Sequence, residues 1–217
     1  MLKRWYFKFP TNKGDFEISE NTPLNYKVEV GIHQGEKNEA LMIIVWKWWS
    51  VSWYMNKYEE ITKRLIKYGI NIFIIENPEV SWNDPELFFD GAMKFIKEKM
   101  TEFWFKLFKI KCFWFSAWWH FVGRFAYKYP NIKEILLVNP VLRVNFTKLK
   151  KELNQFTWNI TIIQWDKDTD YFFNPLLSQI PKARNIILEW VNHQFSNKWQ
   201  LETFIWLPEK YLFQWTI

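Results

Sequence analysis

The stretch "KIKCFWFSAWWHFVGRFAYKYP", Lys109–Pro130, decides how the chain is read. An apolar, β-rich run, "KIKCFWF", meets one serine, Ser116, and a helical pattern follows at once over 117–129. A serine held on a sharp turn between strand and helix is a place for a nucleophile. Such a turn depends on small residues, yet Trp114, Trp118 and Trp119 stand around this one.

Working outward, the same alternation recurs. "ALMIIV" (40–45), "INIFIIE" (70–76), "EILLVNP", "NITIIQ" (159–164) and "RNIILE" (184–189) read as strands, most of them apolar throughout, as expected of strands covered on both faces. Between them lie helical patterns. One starts near Tyr54, with Tyr58, Ile61, Leu65 and Tyr68 on one face and Gly69 as its stop. A second opens on Asp84 as cap and Pro85 at the first position, with Phe89, Ala92, Met93, Ile96 and Met100 as its apolar stripe. A lysine-rich helix is expected over 147–156, and a final one in the last twenty residues. The first 35 residues read as short strands, "RWYFKF", "DFEIS" and "YKVEVGI". Strands alternating with helices predict an α/β fold with a mostly parallel sheet. At 217 residues, the chain suits one domain spanning 1–217, with 1–35 adding antiparallel strands to the same sheet.

Composition narrows the function. The net charge of +6 comes from 24 lysines against 5 arginines, scattered along the chain, which reads as a solvated surface and not a nucleic-acid footprint. No apolar run reaches the roughly 18 residues of a membrane span, and the start lacks a secretory pattern. One cysteine, Cys112, sits in an apolar run and reads as a buried thiol. These features place the protein in the cytoplasm. His, Cys and carboxylates do not gather at metal-ligand spacing, and Gly31, Gly35 and Gly91 form no phosphate cradle, so neither metal nor cofactor is expected.

Glycine is scarce at 6 residues, where average usage of about 7% predicts roughly 15. Tryptophan is in excess at 16. Trp46, Trp48, Trp49, Trp53, Trp82, Trp114, Trp118, Trp119, Trp158, Trp165 and Trp190 fall at predicted strand ends, in turns or at the Ser116 turn, where sheet proteins use glycine. Read as glycine, these positions restore an ordinary composition of 17 Gly and 5 Trp. The pattern is that of UGA codons that specify glycine being read as tryptophan.

With glycine in those places the opening stretch becomes "FGFSAGGHFVGRFAY", which resembles the α/β-hydrolase family and its G-x-S-x-G turn. The resemblance extends from about Tyr26 to the end, and its order of strand-end residues is Ser, acid, His. It implies an α/β-hydrolase fold without a large cap domain, and a nucleophile at Ser116. "NITIIQ" running into "WDKDTDYF" implies Asp168 as the acid, with Asp166 and Asp170 as alternatives. "RNIILE" running into "WVNHQF" implies His193 as the base. Spacings of 52 residues from Ser116 to Asp168 and 25 on to His193 suit about one strand–helix unit each. The oxyanion donors would be the backbone of Ala117 and of Lys47 or Trp48 in "WKWWSVSW". His120 and His33 are weaker candidates. The implied reaction is carboxylesterase-like hydrolysis of a small acyl substrate, with thioesterase and peptidase chemistry open. If the tryptophans at the turn are real, the alternative is a catalytically inactive binding or scaffold protein of the same fold. Oligomeric state is not legible in the sequence.

Overall fold

A computed structural model describes residues 2–10, 25–45, 56–77, 84–116, 123–140, 146–168, 171, 174–180, 182–192 and 197–214. The apolar runs become eight strands: β1 (Lys3–Pro10), β2 (Asn25–His33), β3 (Glu39–Ile44), β4 (Asn71–Ile75), β5 (Lys109–Phe115), β6 (Ile132–Val138), β7 (Asn159–Trp165) and β8 (Ala183–Leu188). They form one sheet in the order β1-β2-β4-β3-β5-β6-β7-β8. Strands β3 to β8 run parallel, while β2 is antiparallel to both β1 and β4. The segment "DFEIS" lies outside the described residues.

Helices α1 (Lys57–Leu65), α2 (Pro85–Glu102), α3 (Phe146–Gln155), α4 (Asn174–Leu177) and α5 (Lys198–Pro208) link and follow the strands. Their apolar stripes explain why the central strands carry no polar face. In β5, Cys112 and Trp114 point to one side, against a cluster that holds Phe89, Ala92, Ile96 and Met100 of α2. Phe113 and Phe115 point to the other, into a cluster with Tyr58, Ile61 and Leu65 of α1 and Phe204 and Leu207 of α5. Each fully buried side chain of this kind contributes about 1.5–3 kcal/mol, so the two-sided cover drives the layering. Cys112 is buried and free, and burial pushes its thiol far above the ordinary range.

Local signals set the element ends. Asp84 accepts from the Leu87 N–H at 2.9 Å, with Pro85 at the first helical position. Gly69 closes the turn after α1 with φ 67°. Inside the sheet, Lys111 of β5 is nearly buried and pairs with Glu39 of β3 at 3.2 Å and Glu134 of β6 at 3.0 Å. One cation thus spans three adjacent strands and favours a single register.

Tryptophans occupy two kinds of place. Trp114 and Trp165 lie in strands and are fully buried, with Trp165 packed on Phe115 at a ring separation of 5.4 Å. Neither takes a positive φ, so the backbone there does not require glycine. Trp104 and Trp190 do take it, with φ of 71° and 63°, and both indoles are largely exposed. Trp104 closes α2 as a Schellman motif: Phe105 N–H donates to the Met100 carbonyl at 2.8 Å and Trp104 N–H to that of Thr101 at 3.0 Å. Glycine is the usual residue there because any Cβ crowds the left-handed backbone. Trp104→Gly and Trp190→Gly should therefore each raise stability by about 1 kcal/mol. Urea denaturation of the two variants checks this, and a loss of stability in both would contradict it.

Candidate active site

Ser116 is the first residue beyond β5, and β5 lies between β3 and β6 at the middle of the sheet. Its φ is 69°, a left-handed conformation that side-chain-bearing residues adopt only under constraint. Ser116 stands at the C-terminal edge of the parallel strands. That edge is where open α/β sheets place ligands. Ser116 itself is 2% exposed.

The neighbouring strand ends in a matching way. Register pairs Phe115 with Val138 and Val138 with Ile163, so Ser116 and Asn139 leave adjacent strands at the same height. Asn139 is also left-handed, with φ 51°, and is buried. Its N–H donates to the Ile163 carbonyl at 2.6 Å. Its side-chain oxygen accepts from the Trp165 N–H at 3.2 Å, and its Nδ2 donates to Oδ2 of Asp168.

Asp168 is buried in the turn after β7, where its N–H donates to the Trp165 carbonyl at 3.1 Å. The same turn is tied to the exit of β8. Asp166 N–H donates to the Leu188 carbonyl and Lys167 N–H to the Val191 carbonyl, each at 3.2 Å. Val191 stands two residues ahead of His193 in the chain. Asp166 differs from Asp168 in its surroundings, since its carboxylate lies 3.8 Å from the exposed Lys167 ammonium.

No family model matches the chain, and no curated protein matches it by sequence. Solved structures do match. An α/β serine hydrolase homologue from Coxiella burnetii superposes with a TM-score of 0.63 at 15% identity, over 83% of this chain and 89% of that one. The esterase domain of a Rhodothermus marinus protein gives 0.66 at 10% identity, over 94% and 95%. Dienelactone hydrolase from Anabaena variabilis gives 0.60 at 12% identity, over 97% of each. The chain has the α/β-hydrolase fold.

Within this α/β-hydrolase fold, Ser116 and Asp168 emerge at one edge of the sheet. His193, Ala117, Lys47, Trp48, His120 and Asp170 lie outside the described residues. His33 ends β2 opposite Ile72, near the start of β4, and so sits at the other edge from Ser116. Asn139 is a polar residue that the sequence reading passes over. The available signal is an Asn-Pro pair directly after an apolar strand, since asparagine tolerates left-handed backbone and proline cannot extend the ladder. Among the described residues, no three His, Cys, Asp or Glu side chains come together to hold a metal. Nor is any helix among them long and apolar enough to cross a membrane.

One cation lies below this edge. Lys57 opens α1 and is fully buried, with its Nζ 5.0 Å from the ring centroids of Tyr58 and Phe115 and 4.7 Å from that of Phe204. Phe115 is the residue before Ser116. Burial lowers the Lys57 ammonium from 10.5 to about 7, while the three ring faces favour the cation and oppose that shift in part. The folded value lies below the unfolded one, so the unfolded chain binds more protons between about pH 7 and 10.5. Stability lost to this lysine is therefore greatest below pH 7 and is regained as pH rises. Lys57→Met should be more stable than wild type at pH 6.5 by a few kcal/mol, of order 4 at most, with the gap closing towards pH 10.5. Paired urea titrations across this range measure it, and a gap that stays constant with pH would contradict the assignment.

Proposed function

We propose that the protein is a serine hydrolase that cleaves an ester or related acyl bond through Ser116, His193 and Asp168. The observation that carries this reading is the left-handed backbone of Ser116 at the exit of the central strand, with φ 69°. A serine in an ordinary strand-to-helix turn or cap needs no such torsion. A nucleophile does, because the torsion lifts its hydroxyl above the sheet edge. The similar structures, an esterase domain and a dienelactone hydrolase among them, point the same way.

The chemistry follows from residue type. A serine hydroxyl is a weak nucleophile near neutral pH. In the proposed mechanism His193 takes its proton as Oγ bonds to the acyl carbon, and the carbonyl electrons move onto oxygen. The N–H of Ala117 and that of Lys47 or Trp48 receive this oxyanion. Collapse expels the leaving group, which takes the proton from His193. Water then attacks the acyl-enzyme with the same histidine as base, releasing the acid and restoring Ser116. Asp168 holds the imidazole in the required tautomer and stabilises its cation. The substrate class is a small acyl compound, handled by a single domain over residues 1–217 that we place in the cytoplasm.

One observation favours a second reading. At 2% exposure Ser116 is covered, which suits a non-catalytic protein that keeps the fold as a binding module. A fluorophosphonate probe separates the two, applied to the chain as it stands and to a version with glycine at the eleven tryptophans singled out in the sequence. Hydrolase chemistry predicts labelling that disappears in Ser116→Ala. A folded, monodisperse protein that takes no label in either form would establish the non-catalytic reading.

A further inference from the structure

Asn139 has three bonds that together leave it no rotational freedom. Its backbone N–H is tied to β7 through Ile163 at 2.6 Å, its Oδ1 to β7 again through the Trp165 N–H at 3.2 Å, and its Nδ2 to the Asp168 carboxylate. The orientation of the carboxamide is set by chemistry, since an N–H can only donate and a carboxylate can only accept. Asn139 stands on the strand between those that carry Ser116 and Asp168, and it is 3% exposed. Proteins leave few polar side chains this deep unless each polar atom is used.

We propose that Asn139 is a positioning residue for the acid of the triad, one that fixes the rotation of the Asp168 carboxylate and favours its ionised form. The inference rests on the serine-hydrolase reading above. A carboxylate free to turn about its Cβ–Cγ bond would hold an imidazole in a range of orientations. One oxygen clamped by a buried amide leaves a single direction for the other. The amide also donates a stronger hydrogen bond to the charged carboxylate than to the neutral acid, which disfavours protonation. The left-handed backbone of Asn139 serves this purpose: it turns the chain at the strand end so that the side chain lies along the sheet edge towards β7.

Two substitutions separate this role from simple packing. Asn139→Asp keeps the shape, the tolerance of φ 51° and an oxygen for the Trp165 N–H, but sets a second carboxylate against Asp168. Asn139→Gly keeps the backbone torsion and removes the amide. Carboxyl carbon NMR of aspartate-labelled protein reads the Asp168 midpoint directly, without requiring activity. The midpoint should rise by about one pH unit or more in Asn139→Asp and by a smaller amount in Asn139→Gly. With a chromogenic ester, kcat should fall about tenfold or more in both, and the acid limb of the Asn139→Asp profile should move up.

An Asp168 midpoint unchanged in both variants would overturn the proposal. So would a shifted midpoint in an active enzyme whose kcat and acid limb stay at wild-type values. Absence of fluorophosphonate labelling in wild type is a different failure. It would remove the hydrolase reading, and the catalytic role of Asn139 with it, whatever the titration showed.

Discussion

The backbone torsion at Ser116 is the constraint on which the rest of the site depends. A left-handed residue bearing a Cβ costs on the order of 1–2 kcal/mol, and it persists only where the surroundings hold it. Here the hold comes from position. β5 is hydrogen-bonded in parallel on both sides, to β3 and β6, and covered on both faces by apolar clusters. A strand anchored so completely can force an abrupt turn on the residue that leaves it.

The same edge repeats the device. Ser116 after β5, Asn139 after β6 and Trp190 after β8 are all left-handed, while β7 leaves through a turn bonded to the β8 exit. Ser116 and Asn139 thus follow adjacent strands at one height, and the exits of β7 and β8 lie within a few residues of it. This collects Ser116, Asn139 and Asp168 from segments far apart in sequence. Two sets of charged groups lie away from this edge. The Glu39–Lys111–Glu134 set fixes register in the body of the sheet, and Glu209, buried, binds Arg64 in the last turn of α1 and Lys67 just beyond it at 2.5 Å.

How much of this was legible follows from what each feature depends on. The strands and helices were readable because two-sided burial writes itself as apolar runs, and one-sided burial as the Tyr58–Ile61–Leu65 and Phe89–Ala92–Ile96 stripes. Asp84 and Gly69 were readable because caps act within a few residues. Ser116 stood out as a polar residue just past such a run, whereas Asp168 was singled out from Asp166 and Asp170 only through the family resemblance. Asn139 did not stand out, because its meaning lies in a bond to Asp168, 29 residues away. Lys57 was illegible for a related reason: a lysine opening a helix reads as solvated, and only the packing of α1 on β5 and α5 buries it. Trp114 and Trp165 sit in extended strand, whereas Trp104, within a helix-ending motif, holds the torsion that glycine favours.

The most direct measurement is the covalent state of Ser116 during turnover. Mixing the protein with an activated acetate ester, quenching in acid and mapping the peptides by mass spectrometry should find one acetyl group on Ser116. The adduct should be absent from Ser116→Ala. Hydrolysis of the ester with no acetyl on Ser116, or no hydrolysis by a folded protein, would contradict an acyl-enzyme formed at this turn.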